Sequence, residues 1–422
     1  MSAGETAKSV LRRLTAASAT ERILISFAAL VMAVVIGAGI ILVSGRVTTC
    51  QTAATTLFGT GFCYDPVEVY LVLFNGALGE PFLVNSPGVL KPLNPDWNPL
   101  NFGFALTLKE TTLLIFTGLS VAVSFRAGLF NIGTQGQLVL GGLATALFSF
   151  FVAPLLPSGL VGGLILIPLA VIVGALVGGL YGAIPGALKA YADANEVITT
   201  IMLNFIAAQI AFVLVSEFFG NPDSQVVETT PLPDWATLLP VAFPQGGDFS
   251  LLALAFGLAL VVAVWFLLEQ TSFGYDLRTS GEQPEAAEYG GVDAKRTTVT
   301  SMFLSGALGG MGGAIWVLMV MGKWQAGVPS LGFDGITVSI LAGNNPFGVV
   351  PAALLFGTLK SGSLAVQFGT GVPKQLVGVL RGLIILFVAM PEFFRMLGSA
   401  IDLEPDRETV ATDGGRLGGD DE

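Results

Sequence analysis

Three amides, Asn131, Gln135 and Gln137, crowd into the stretch FRAGLFNIGTQGQLVLGG, residues 125–142, between two apolar runs. An amide donates and accepts hydrogen bonds without carrying charge, so at membrane depth such a set could hold a polar, uncharged solute. Gly128, Gly133 and Gly136 in the same stretch weaken a helix. Irregular backbone is tolerated in a bilayer only where it is buried in protein or lines a watery cavity, and transport proteins build solute sites from broken helices of this kind. The competing reading is a short turn whose amides cap helix ends, and residue types alone leave both open. Asn204, Asp334, Asn344 and Asn345 complete the set of candidate pathway residues. Asp334 also fits the cap of a short helix, and Asn195 and Glu196 read as rim residues.

Other chemistries are excluded by what the chain lacks. It contains no histidine, which removes Ser-His and Cys-His catalysis and the commonest transition-metal ligand. No catalytic residue, metal site or cofactor is expected. No glycine-rich loop ending in Gly-Lys-Ser/Thr occurs, so the chain is not itself an ATPase. The net charge of −11 argues against nucleic-acid binding, which wants a basic surface. The acid concentrated in the 402–422 tail suits a high-salt medium, or is an ordinary acidic tail. Cys50 and Cys63 fall in one segment, where a disulfide and two free thiols are both open.

The elements that must position these residues are apolar helices. Of 422 residues 53% are hydrophobic and only 12% charged, against about 25% charged in soluble domains. Runs of this length and composition predict an all-α polytopic membrane protein, and its 54 glycines suit close helix packing in lipid. A basic segment, 1–22, precedes a retained membrane helix at 23–44 and should be cytoplasmic. The membrane domain is expected over 23–398, with an external segment at 45–103, a cytoplasmic loop at 269–297 and an acidic cytoplasmic tail at 399–422. Residues 65–79 read as a short interfacial helix. Spans are expected at 104–123, 138–152, 161–184, one that 189–204 leads into and that ends near 219, 251–268, 298–321 and 376–390, with two short or half helices at 336–342 and 349–357.

In the loop RTSGEQPEAAEYGGVDAKR, Pro284 suits a first helical turn and Gly290 and Gly291 stop the helix. A small charged helix here is something a peripheral partner could grip; the bland reading is a solvated loop. Taken together, FRAGLFNIGTQGQ (125–137), NEVITTIMLN (195–204), GEQPEAAEYGGV (281–292), SGALGGMGGA (305–314) and GFDGITVSILAGNNPFGVV (332–350) resemble permease subunits of ABC importers. The family is the one serving branched-chain amino acids, simple sugars and nucleosides, and the likeness is nearest its sugar and nucleoside branch. The resemblance implies a type II importer fold of about ten transmembrane segments, a second permease (identical or paralogous), two ABC ATPase subunits and an extracytoplasmic solute-binding protein. It also implies that Gly281, Pro284, Glu285, Ala286, Ala287, Glu288 and Gly291 form the loop that couples to the ATPase. Arg381 departs from the family pattern, which has an uncharged amide there. An ion-coupled secondary transporter is the rival class; it would want a carboxylate mid-span, and the expected spans hold none there, Glu110 falling near the outer end of its own.

Overall fold

The computed structural model describes residues 19–389 except 51, 58, 82, 86–88, 92, 93, 239, 241, 242 and 244–247. The basic segment up to residue 18, the tail 399–422 and the side chain of Arg381 lie outside the described residues. The chain forms two units, 1–40 with 382–422, and 41–381. The described part of the first is helical, comprising the beginning of α1 (Ala19–Val47) and the end of α13 (Lys374–Ala389). The remaining elements belong to the second.

Two small hairpins, β1 (Thr55–Leu57) with β2 (Thr60–Phe62) and β3 (Leu83–Asn85) with β4 (Val89–Lys91), flank α2 (Pro66–Leu78). Cys50 and Cys63 are joined in a disulfide beside the first hairpin. The expected short helix at 65–79 is α2, capped by Asp65 and ended by Gly79 in a left-handed conformation. It packs against the bundle: Thr107 Oγ1 donates to the Ala77 carbonyl, and Val69, Leu73 and Ala77 are buried.

The bundle continues with α3 (Phe102–Arg126), α4 (Thr134–Val152), α5 (Leu160–Ala192), α6 (Glu196–Leu214), α7 (Leu251–Gln270), α8 (Ser272–Glu282), α9 (Pro284–Tyr289), α10 (Ala294–Ile315), α11 (Leu331–Leu341) and α12 (Pro346–Gly369). Among the described residues seven helices, some extended by an irregular last turn, are long and apolar enough to cross a membrane. Both α6 and α10 end in a widened π-type turn, Val215–Phe219 and Trp316–Met321. The most enclosed spans are α3 and α10. They are stitched together by a reciprocal pair: Ser120 Oγ donates to the Ser305 carbonyl and Ser305 Oγ to the Ser120 carbonyl, each at 2.6 Å.

SGALGGMGGA sets the spacing of α10 against α5. Gly174, Gly178 and Gly182 on α5 repeat every fourth residue, as do Gly306 and Gly310 on α10, so both lie on single helix faces. A Cβ at Gly310 would stand 2.2 Å from the Gly174 carbonyl oxygen. Without side chains between them the backbones touch, which is how helices associate where lipid offers no hydrophobic drive.

Two expected boundaries are corrected. The 349–357 half helix is part of a full 24-residue span, Pro346–Gly369. Its polar outer half misled the hydropathy reading, because Lys360 and Ser361 are held inside the bundle by α3 and α11 partners. The span expected at 161–184 runs on through Pro185 to Ala192, where Lys189 pairs with Asp193 and Glu196. By contrast, the half helix expected at 336–342 is one: α11 has 11 residues.

The loop between α6 and α7 folds back on the segment after α10. Thr229 N donates to the Trp324 carbonyl, and Lys323 Nζ lies 2.7 Å from Glu228 Oε2. Glu228 is 5% exposed, and its hydrogen bond with Lys323 holds the carboxyl below its ordinary value of 4.5, against the opposing effect of burial. A carboxylate with a lowered folded-state pKa contributes stability above its unfolded value and loses it as pH falls through the lowered one. Thermal unfolding in detergent should therefore show stability falling below about pH 4.5, the range set by this shift. Lys323→Met should cost about 1–3 kcal/mol at neutral pH, since Glu228 loses its cation but keeps hydrogen bonds from Ser224 and Asn221. A Lys323→Met protein melting within a degree of the wild type would refute the assignment.

Candidate functional site

The break at 127–133 is the centre of the site. After α3 ends at Arg126, Gly128 takes a φ of +68° and the chain turns back toward the interior to begin α4 at Thr134. Thr134 Oγ1 there sits 3.3 Å from Ser120 Oγ, nearly two turns before the end of α3. The first backbone N–H groups of α4 therefore emerge at depth, where an unpaired donor costs several kcal/mol. The amides satisfy them or brace the backbone around them.

Asn131 is fully buried. Its Oδ1 accepts from Gly133 N at 2.9 Å, and its Nδ2 donates to Gln137 Oε1 at 3.0 Å and Ser305 Oγ at 2.8 Å. Gln137 Nε2 returns a bond to Asn131 Oδ1 at 3.3 Å. Asn204 reaches across from α6: its Oδ1 accepts from Gly136 N at 2.8 Å and its Nδ2 donates to the Ile132 carbonyl at 2.9 Å. Asn131 and Gln137 are engaged with each other, and Asn204 with the backbone of the break.

Gln135 has a different task. Its Oε1 accepts from Gly332 N at 2.8 Å, and its Nε2 donates to the Pro329 carbonyl at 2.9 Å. It thereby satisfies the N-terminus of α11 and ties it to the N-terminus of α4. The two helix starts are so close that a Cβ at Gly332 would lie 2.3 Å from Gln135 N. Two N-terminal partial positive charges meet inside the bundle, with amide oxygens set between the donors.

Asp334, the candidate on α11, lies 3.2 Å from Lys360 Nζ, which is 3.0 Å from Glu110 Oε2 on α3. Asn344 and Asn345 form the α11–α12 turn. Asn344 has φ +57° and accepts at Oδ1 from Ser339 Oγ; Asn345 caps α12 by accepting from Phe347 N. The turn is also held from α3, where Arg126 Nε donates to the Asn344 carbonyl at 3.0 Å.

At this same end lie α8 and α9. Pro284 opens α9, and Gly291, at φ +87°, follows its end. Ala287 faces inward at 6% exposure, while Pro284, Glu285, Ala286 and Glu288 face out. Gly281 abuts the break itself, since a Cβ there would lie 2.6 Å from the Ala127 carbonyl carbon. Beside that contact, Glu269 at the end of α7 bridges two arginines. Its Oε1 is 3.0 Å from Arg126 Nη1 and its Oε2 2.5 Å from Arg278 Nη1. The helix α8, which leads directly into the outward-facing α9, is thus fixed to the break by a backbone contact and a three-residue ionic clamp.

Residues 104–389 match the family described as branched-chain amino acid transport system / permease component. The chain belongs to this permease family. Among relatives of this permease are the guanosine ABC transporter permease protein NupP of Bacillus subtilis, 34% identical over 87% of this chain and 93% of its own, and the nucleoside ABC transporter permease protein NupB of Lactococcus lactis, 31% identical over 78% and 85%. The glucose ABC transporter permease protein of Haloferax volcanii is 31% identical over 80% and 84%. No solved structure matches the permease.

Sequence reasoning missed the permease's ionic clusters. Glu110 and Lys360 stand on helices far apart in sequence, so their pairing has no local signature. The one available signal was that each would be an ionisable residue inside a span once the helix was drawn to its full length.

Proposed function

We propose that this permease is the membrane-embedded half of an ATP-driven importer for a small neutral polar solute, a nucleoside or a simple sugar. The observation that carries the reading is the outward-facing α9, joined through α8 to the break between α3 and α4, in a chain similar along most of its length to ABC permeases of nucleosides and glucose. ATP hydrolysis falls to separate ATPase subunits, which grip the loop at Glu285 and Glu288. A second permease, identical or paralogous, completes the path, and a solute-binding protein delivers from the other side.

The disulfide supports the orientation. Such bonds persist in oxidising compartments, which makes the Cys50–Cys63 segment extracytoplasmic. From there α3 runs 25 residues, about 37 Å, to Arg126 and the α8–α9 end. This supports a cytoplasmic α9, and the reading puts both termini on that side, as the basic N-terminal segment predicts. Asn131, Gln137 and Asn204 keep the break open as a hinge, and Gln135 passes its movement to α11.

The test is co-purification and uptake. Glu285→Lys with Glu288→Lys should leave the permease inserted but abolish recovery of the ATPase subunits with it. Wild-type vesicles should take up guanosine or glucose only with ATP. Normal recovery of the ATPase with the double variant would sink the docking assignment. Uptake driven by a proton or sodium gradient without ATPase would revive the ion-coupled alternative.

A further inference from the structure

Apart from the amides around the break, α3, the widened end of α10, the 322–330 segment, α11 and α12 line a half-open cavity of about 270 Å³. Its wall includes Lys109 and Glu110 from α3, Trp316 from the π-type turn, Gln325, Leu331 and Lys360. The volume sits at the small end of ligand sites, which run from about 300 Å³ upward.

The charges in this wall are answered. Lys360 lies between Glu110 and Asp334, at 3.0 and 3.2 Å, and Lys109 faces Asp248 at 3.8 Å. Each ammonium thus faces at least one carboxylate, with Asp334 and Asp248 standing outside the lining itself. Hydrogen-bonding capacity nevertheless remains. An ammonium has three donors, and Lys360 directs one at Asp334 Oδ2 while its contact with Glu110 is an ion pair without a hydrogen bond. Glu110 Oε2 is buried and has the ion pair with Lys360 but no further partner among the described residues. Among the described residues none hydrogen-bonds the Gln325 amide or the Trp316 indole N–H. Ionisable groups placed this far inside spans are costly and mark solute paths by default. Widened helical turns such as the one carrying Trp316 collect at functional sites.

The floor of the cavity is Pro329 and Leu331, the start of α11 that Gln135 ties to α4. The cavity thus rests on the element joined through the break to Gly281 and the clamp. We propose that it is the station at which the permease holds its solute in the membrane path. The ligand it fits is a neutral, hydroxyl-bearing solute with one flat face. The face lies on Trp316, a polar edge meets Gln325, and hydroxyls donate to Glu110 and accept from Lys360. A phosphorylated solute is refused, because the wall offers it two lysines already taken by carboxylates. This assignment rests on the importer reading and deepens it.

The decisive experiment uses the whole complex, permease with its ATPase and binding-protein subunits, in proteoliposomes, with guanosine, glucose and guanosine monophosphate as probes. Trp316→Leu and Gln325→Leu leave the ion pairs alone. They should raise the KM for uptake on the order of tenfold, as loss of a stacked or hydrogen-bonded contact does, with kcat largely kept at saturating solute. Trp316→Phe keeps a flat face and should recover most of the loss. Unchanged KM in both leucine variants, with the complex still assembled on gel filtration, overturns the site alone. So does uptake of the monophosphate at the rate of the nucleoside. A wild-type complex that moves neither guanosine nor glucose overturns the importer reading, and the site with it.

Discussion

Replacing Gly310 by Leu should leave no folded permease. The effect is expected to be the largest of any single substitution in the bundle. A Cβ at this position would lie 2.2 Å from the Gly174 carbonyl oxygen and 3.0 Å from the Gly178 Cα, both backbone atoms of α5. Neither can turn aside, so α5 and α10 would have to part by several ångströms. Parting them undoes the glycine contacts at Gly141, Gly178 and Gly306 in the same seam, and it draws Ser305 away from Ser120 and Asn131. The polar groups of the break would then be stranded in the bilayer, where each unsatisfied group costs several kcal/mol. The expected observation is loss of the monodisperse peak in fluorescence-detected gel filtration of the detergent extract. Gly378→Leu is the control: a Cβ there meets nothing within 4 Å in the protomer, and the peak should survive. A normal peak from Gly310→Leu would mean the seam is looser than the backbone contacts require.

The same seam illustrates how much residue types and spacing reveal by themselves. Apolar runs locate the spans, because a bilayer rewards a continuous apolar stretch whatever it packs against. Glycines repeating every fourth residue announce close helix contact, though not which helix is the partner. Boundaries fail where a span carries polar residues on its inner face. Lys360 seems to end α12 only because Glu110 and Asp334, which make its burial tolerable, arrive from helices remote in sequence. The break at 127–133 is visible through its glycines. The division of labour among its amides is not. Residue type says that Asn131 and Gln137 can hydrogen-bond; only the fold shows that they bond each other, and that Gln135 alone reaches α11. Of the two readings posed, the amides make the bonds that the turn reading expects, around the start of α4, and the solute-path reading stands as a proposal.

The structure also offers a route by which an event at α9 reaches the interior. Gly281 touches the break by backbone, and Arg126 holds the α11–α12 turn through the Asn344 carbonyl. The start of α11 meets Gln135, and Asp334 on the same short helix reaches Lys360. A short helix gripped at both ends suits movement as a rigid piece, since its internal hydrogen bonds remain intact while its end contacts exchange.

Glu269→Gln tests that route and should separate docking from transport. Glu269 is the only carboxylate that the described structure shows paired with either guanidinium, at 3.0 Å from Arg126 and 2.5 Å from Arg278. Glutamine keeps the shape but removes the charge, leaving two like charges facing each other beside the Gly128–Gly281 contact. The groups are about a quarter to a third exposed, so the loss of stability falls below that of a fully buried pair and the protein should fold. Because α9 itself is untouched, the ATPase subunits should still co-purify. ATP-driven uptake, however, should drop on the order of tenfold, the size of an ordinary coupling free energy between two sites. ATP hydrolysis should continue but no longer rise when solute is supplied. High salt should mimic the variant in part, because a partly exposed clamp is screened. Uptake within twofold of the wild type would show that the backbone contact at Gly281 carries the motion without the clamp. Loss of ATPase recovery would instead make Glu269 a support of the docking helix. The double variant Glu269→Gln with Arg278→Gln decides between a pure charge effect and a geometric one: removing the second cation relieves the repulsion, so uptake should return part of the way if charge is the cause and fall further if the bridge itself transmits the movement.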